Sequence, residues 1–319
     1  MPGLPVLTGM AGGLEIWRGG VNTWECDEMG HMNVRFYVTK AVEGLVGLAA
    51  ALGLPHAFTA DAGSTLMVRE QHIRFLREAQ AGAALHMTGG VLEMGESEAR
   101  LLMLLWHSDS GALAASFQTV VAHVTPAEGR PFPWSRRTLD LSAGLAIDTP
   151  EQAMPRSLTL DPVDSLASLE RADALGLIRI AQGAVSPADC DLHGRMRPEL
   201  FIGRVSDGIP RLIRGFRETV VNGAAEQPKR VGGAVLEYRL IHLDWPRAGD
   251  RLEIRSGLKD ADARTKRMVH WMIDPDTGKA WGTSEAVAIT FDLDARKIVP
   301  ISEEARAELM KHAVAGLGL

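Results

Sequence analysis

The chain has 319 residues, 46% of them hydrophobic and 23% charged, with a formal net charge of −6. This is the composition of an ordinary globular protein long enough for about two domains, and its acidic balance excludes a general affinity for nucleic acid or an anionic membrane surface, both of which need a basic field. No apolar run approaches the ~20 residues of a membrane-spanning helix. Two cysteines, Cys26 and Cys190, are too few for a disulfide framework and lack C-x-x-C metal spacing, so they read as small buried hydrophobes. The opening MPGLPVLTGMAGG lacks the basic and apolar stretches of a secretory leader, and the expected location is cytoplasmic.

In chain order, residues 14–25 mix Ile, Val and Trp with glycines and predict a first strand, bulged or bent at Gly19-Gly20. After the turn CDEMGHMN, the residues Phe36, Ala41, Val42, Leu45, Leu48 and Ala49 recur at near-helical spacing until Gly53 and Pro55, which predicts a long helix over 34–52. Four strand-like runs follow at 66–75, 84–92, 99–107 and 112–124, the last two joined by the hairpin signal Ser108-Asp109-Ser110-Gly111. Residues 126–162 hold six prolines with little periodicity and read as a linker laid over the surface. A short helix is expected at 165–175, then a strand at 178–188, a helix at 198–216, strands at 233–242, 251–259, 266–273 and 280–291, and a C-terminal helix at 302–312.

The second series repeats the first. At an offset of 164, seven of twenty positions in 14–33 and 178–197 are identical, including Ile16/Ile180, Cys26/Cys190, Asp27/Asp191, Gly30/Gly194 and Met32/Met196, where chance would give about one. After the helix the offset becomes 167, as in Glu70/Glu237, Gly82/Gly249 and Gly111/Gly278, so three residues are inserted between helix and second strand. The expected organisation is residues 1–126 as a first domain, 127–176 as a proline-rich linker, and 177–319 as a second domain with the C-terminal helix. A strand, a long helix and an antiparallel meander make an α+β unit in which the sheet wraps the helix.

The shared core, C-D-x-x-G-x-M, ends a strand and opens a helix, where a carboxylate meets the N–H groups that a helix start leaves unpaired. Copy one has His31 and Asn33 where copy two has Arg195 and Arg197, so the two sites are expected to be inequivalent. Asp27-Glu28-Met29-Gly30-His31-Met32-Asn33, followed by Tyr37 and Glu43, resembles the D-x-x-G-H-x-N…Y…E pattern of hotdog-fold acyl-CoA thioesterases of the 4-hydroxybenzoyl-CoA thioesterase-like family. The strand exits Gly129-Arg130-Pro131-Phe132-Pro133 and Arg296-Lys297-Ile298-Val299-Pro300 add to the likeness. The resemblance implies a tandem double hotdog, each half a long helix wrapped by a five-stranded, mainly antiparallel sheet, and hydrolysis of an acyl-CoA or related acyl thioester to free acid and thiol. It places Asp27 at the catalytic aspartate, Val34 as oxyanion donor through its backbone N–H, and Glu43 as the helical acid. Val34 departs from the pattern, a second Asn being common there.

Chemistry gives each residue a role, and a plainer reading stands beside it. Asp27 is a base or nucleophile for a thioester carbonyl, or a turn cap like Asp191. Asn33 orients the carbonyl or caps the helix. His31 is polar support rather than a metal ligand, since only Asp27 stands near it at ligand spacing. Glu43 and Asp207 share the 164 offset, paired or simply exposed. Tyr37, Asp191 and Asp207 join the candidate substrate-binding set with Arg195 and Arg197, which hold CoA phosphates or form a solvated basic turn. Arg130, Arg136 and Arg137 near Trp134 are weaker candidates of that type. No metal or organic cofactor is expected, because hydrolysis needs only water. The expected molecule is a pseudo-dimer within one chain, alone or in homo-oligomers, with one principal site in copy one at its interface with copy two. The alternatives are a hotdog enoyl- or hydroxyacyl-thioester hydratase or dehydratase, whose H-x-x-x-x-G-x-x-x-x-P helix entry is absent, and a non-catalytic acyl-CoA binder.

Overall fold

An apolar stripe and a polar cap decide the first long helix. The computed structural model describes residues 13–225 and 227–319; residues 1–12, within the stretch read above for a leader, lie outside them. The chain divides into two units, Met1–Met154 and Pro155–Leu319. In the first, strand β1 is Leu14–Gly20 and helix α1 is Val34–Ala51, followed by β2 (Thr65–Phe75), β3 (Ala84–Met94), β4 (Glu98–His107), β5 (Leu113–Val124) and α2 (Arg136–Ala143). Val38, Ala41, Leu45, Leu48 and Ala49 of α1 are fully buried at helical spacing. The antiparallel order is β1-β3-β4-β5-β2, so one helix lies against a five-stranded sheet.

The second unit contains α3 (Leu169–Ala174), β6 (Ile178–Ala184), α4 (Glu199–Asn222), β7 (Val231–His242), β8 (Arg251–Ala261), β9 (Lys266–Ile273), β10 (Ala280–Asp292), the short β11 (Lys297–Ile298) and α5 (Glu303–Met310). Its order is β7-β10-β9-β8-β6, with β11 beside β10. Each unit is thus a hotdog, and the chain is the tandem α+β form expected. The inserted residues are absorbed by the helix: α4 runs to Asn222, and the connection that spans 52–64 in the first unit shrinks to 223–230.

Among the described residues the strand bulges of one unit recur in the other. Ile16 is the extra residue in β1 and Ile180 in β6; Arg69 pairs with Leu236 in this sense, Leu92 with Lys259, and Ala114 with Trp281, all at the repeat offsets. The first bulge therefore lies at Ile16, not at Gly19-Gly20. Gly19 has another purpose: a Cβ there would press into the Trp17 indole. The strand ends at Gly20, and 23–25 form a 3-10 turn instead of continuing it. The bulged carbonyl of Ile16 sits against Gly47 of α1, and that of Ile180 against Gly208 of α4, so a side chain at either glycine would meet backbone.

The segment expected as a linker, 127–176, is divided between the units and mostly laid on sheet. Helix α2 stands at offset 167 from α5, and each begins on a serine, Ser135 or Ser302, whose Oγ accepts an N–H of the first turn. Beyond them Val91 bridges Ala146 as Leu258 bridges Ala313. Residues 147–153 cover the back of the first sheet, where Leu102, Leu104 and Ala153 form an apolar cluster, and Gln118 donates to the Ala153 carbonyl. Residues 156–161 are held in the second unit by Glu237, which accepts the N–H groups of Arg156 and Ser157, and by Arg239, which donates to the carbonyls of Thr159 and Asp161. Helix on one face and strap on the other explain why β4 is continuously buried through Leu101–Leu105 rather than alternating.

Candidate active site

The repeated motif first of all builds a turn. Asp27 N–H donates to the His31 carbonyl at 2.8 Å, and Asp27 Oδ1 accepts the N–H groups of Met29 at 2.9 Å and His31 at 3.1 Å. Gly30 takes φ of 79° and Gly194 of 75°, in the left-handed region where a side chain is strained, which accounts for the invariant glycine. Copy two reproduces this: Asp191 Oδ1 accepts from His193 N–H at 2.8 Å and Arg195 N–H at 2.9 Å. The aspartate and glycine shared by both copies are thus explained by the turn alone. Whatever distinguishes the two sites lies in the residues that differ.

The second carboxylate oxygen is where they part. Among the described residues neither Oδ2 accepts a hydrogen bond, but Asp191 Oδ2 lies 3.8 Å from Nε of Arg195, whereas no cation pairs with Asp27. His31, which occupies the place of Arg195, turns instead to Glu78, with Nε2 3.4 Å from its carboxylate. Arg195 is buried, and burial pulls its pKa down against the opposing pull of Asp191. Arg197 is 41% exposed, with Nε 3.4 Å from the buried carboxylate of Glu199. Of the two candidate phosphate-holding arginines, only Arg197 therefore offers solvent access.

The remaining candidates fall into place around α1. Asn33 is its N-cap: the side-chain oxygen accepts the Arg35 N–H at 3.0 Å. Val34 opens the helix, so its N–H is among those without an intrahelical acceptor. Tyr37 is buried edge-on to Phe75, its oxygen accepts the Ala79 N–H at 3.1 Å, and burial pushes its pKa up to about 12. Glu43 accepts the Trp17 indole N–H at 2.6 Å, tying edge strand to helix. Copy two has Ala181 in place of Trp17, and its Asp207 is exposed without such a bond. Both cysteines are half-buried, and desolvation pushes their thiols up, away from the thiolate form. Arg136 pairs with Asp140 one turn along α2 on the surface, and Trp134 stacks on His123 at 4.7 Å. No group of three or more metal-ligating side chains occurs among the described residues. A cavity of about 410 Å³ lies between the α3 start and the β9–β10 hairpin, lined by Ser168, Leu243 and Lys279 among others, and none of the candidate residues lines it.

Two further pairs frame the turn and are not among the sequence-derived candidates. Lys40 Nζ contacts Glu25 at 2.9 Å, and Arg204 contacts Asp189 at 3.0 Å, each joining the 3-10 turn to the long helix. Both members keep their charge across the 164 offset, a signal that repeat alignment carries. Glu78, by contrast, has Trp245 as its counterpart and leaves no such trace.

The model of the thioesterase-like superfamily matches residues 21–141 and again 185–309. No curated protein matches the chain in sequence. Solved structures resemble its fold, among them two acyl-ACP thioesterases. A 12:0-ACP thioesterase from Umbellularia californica aligns with a TM-score of 0.63 at 10% identity, over 85% of this chain and 92% of that one. An acyl-ACP thioesterase from Bacteroides thetaiotaomicron aligns with a TM-score of 0.60 at 11% identity, over 85% and 96%.

Proposed function

The chain belongs to the thioesterase-like superfamily, matched once in each half, and from that membership we propose that it hydrolyses an acyl-CoA or related acyl thioester at Asp27. The observation that carries the assignment is that, among the described residues, Asp27 Oδ2 at the mouth of α1 meets neither a hydrogen bond nor a cation, whereas Asp191 Oδ2 has the Arg195 guanidinium nearby. Oδ1 is fixed by two backbone N–H groups, so the carboxylate is oriented before substrate arrives. Water adds to the thioester carbonyl while Asp27 Oδ2 takes its proton, and the oxyanion that forms is met by the Val34 N–H, favoured further by the positive end of the helix. Collapse of the adduct breaks the C–S bond. The thiolate takes the proton from Asp27, which returns to its starting form, and acid and thiol leave. Direct attack by Asp27 on the carbonyl gives an anhydride and the same products after hydrolysis.

His31, held by Glu78, supports the turn from behind, and Asn33 presents the helix start. Tyr37 acts through the Ala79 segment it holds, and Glu43 through Trp17. Within the second unit Arg197, near Arg195 and partly exposed, is the candidate for a phosphate, and Asp191 and Asp207 stay in the substrate-binding set as proposals. Thiol release measured across a panel of acyl-CoA esters tests the reading: turnover of at least one ester that disappears in Asp27→Asn supports it, and unchanged turnover in that variant overturns it. Detection of an acyl–Asp27 anhydride by mass under single-turnover conditions separates the two routes, since only direct attack joins the acyl group to Asp27.

A further inference from the structure

Arg35 has no place in the chemistry above. It is the second residue of α1, next to Val34, where a cation runs against the helix dipole. Its guanidinium is partly buried beside the Phe36 ring, 5.6 Å from Cζ to the centroid, and its Nε is enclosed without an acceptor. No carboxylate pairs with it among the described residues. Copy two reverses the charge at this position: Glu199 stands 164 residues on, buried, and has Arg197 as its cation. The acid of the second copy has found a protein partner; the base of the first has not.

We infer that Arg35 receives a carboxylate carried on the acyl portion of the substrate, so that the preferred substrates are thioesters of dicarboxylic acids. This rests on the assignment of Asp27 and the Val34 N–H as the reacting centre. Helical side chains lean toward the N-terminus of their helix, and the N-terminus of α1 is the end that follows the 27–31 turn. Adjacent Cα atoms are ~3.8 Å apart, so the guanidinium stays within one side-chain length of a carbonyl held at Val34. The nearest phosphate of CoA lies about thirteen bonds from its sulfur, roughly 14 Å along an extended chain, and meets Arg35 only if that arm folds back on itself while the carbonyl is at Val34. An acyl carboxylate a few carbons from the thioester meets that distance, and a planar guanidinium binds it through paired hydrogen bonds.

Binding is measured by calorimetry in the Asp27→Asn background, which prevents turnover, using succinyl-, glutaryl- and adipyl-CoA, the unsubstituted acyl-CoA esters of equal chain length, and CoA alone. At least one dicarboxylic ester is expected to bind tenfold or more tighter than its neutral counterpart. Arg35→Ala should abolish that difference while changing neutral-ester and CoA affinity less than threefold, and Arg35→Lys should restore part of it. Equal binding of charged and neutral esters overturns the inference, as does failure of every dicarboxylic ester to bind, or a loss in Arg35→Ala shared by CoA alone. Unfolding temperatures exclude collapse of the variant. Thiol release by the parent chain is scored separately: a charged-ester preference in binding without hydrolysis sinks the thioesterase reading and leaves Arg35, whereas hydrolysis without preference does the reverse.

Discussion

Lys40 Nζ lies 2.9 and 3.1 Å from the two oxygens of Glu25, and Glu25 in turn accepts the Asn22 N–H at 2.8 Å, so one ion pair locks the turn before Asp27 to the helix after it. Both side chains are nearly enclosed, at 5% and 10% exposure. Removing one partner strands a buried charge, and Lys40→Met should cost about 3–5 kcal/mol. The equivalent Arg204–Asp189 pair is 31% and 20% exposed, so Arg204→Met should cost about 1 kcal/mol. Denaturant unfolding of the two variants checks the difference, and similar losses would mean burial does not set the scale.

Asp27 and Asp191 make the same turn but should respond differently. Asp27→Asn retains an Oδ1 acceptor for Met29 and His31, so the fold should persist while kcat falls by at least ~10²-fold. Asp191→Asn loses only its relation to Arg195, with at most about 1–2 kcal/mol of stability and turnover within a few-fold of the parent. Loss of turnover in Asp191→Asn alone would move the active site to the second unit.

Asn33 has a cap role that can be separated from chemistry. Asn33→Ser preserves an acceptor for the helix start and should leave stability nearly unchanged, while Asn33→Ala should cost ~1 kcal/mol. If Asn33 also orients substrate, both variants lose turnover alike. Full activity in the serine variant would reduce Asn33 to a cap.

In the second unit His270 is buried, with Nδ1 2.8 Å from Ser256 Oγ, and burial pulls its pKa from 6.5 down to about 3. The unfolded chain takes up a proton below pH ~6.5 that the folded chain refuses. Stability from the neutral ring is therefore complete above that pH and is lost as pH falls toward 3, by up to ~1.4 kcal/mol per unit. The first unit has Gly89 and Met103 at these positions. Ser256→Gly with His270→Met should flatten the acid limb of the stability profile by that slope, and an unchanged limb would show that carboxylates alone govern it.

Two helical glycines should give opposite signs. Gly47→Ala drives a methyl into the Ile16 carbonyl and should destabilise by about 2–3 kcal/mol. Gly215, exposed in α4 with nothing within 4 Å of a new Cβ, should gain up to ~1 kcal/mol as alanine. Thermal unfolding decides each sign.

The long helices and the paired meanders were legible because apolar periodicity and the 164 and 167 offsets agree at every element. The Ile16 bulge was not, since the conspicuous Gly19-Gly20 pair lies nearby for a different reason, room for Trp17. The proline-rich segment concealed α2, although Ser135 and Ser302 stand at the repeat offset as caps. At the site, Asp27, Asn33 and Val34 could be placed from the strand-to-helix turn, which is local in sequence. The Glu78 contact to His31 depends on how the chain returns after β2, and no local pattern encodes it.

The matched bulges bear on how such a molecule can be rebuilt. Arg69 and Leu236, or Ala114 and Trp281, share nothing chemically, yet each pair breaks its strand at the same step. Side chains differ over a backbone whose phase is the same, so every strand position in one half names its address in the other, at offset 164 before the long helix and 167 after it. A transplant of His31, Asn33 and Arg35 onto Arg195, Arg197 and Glu199 would need no insertion or deletion. The second unit would thereby carry the side chains proposed for the chemistry of the first.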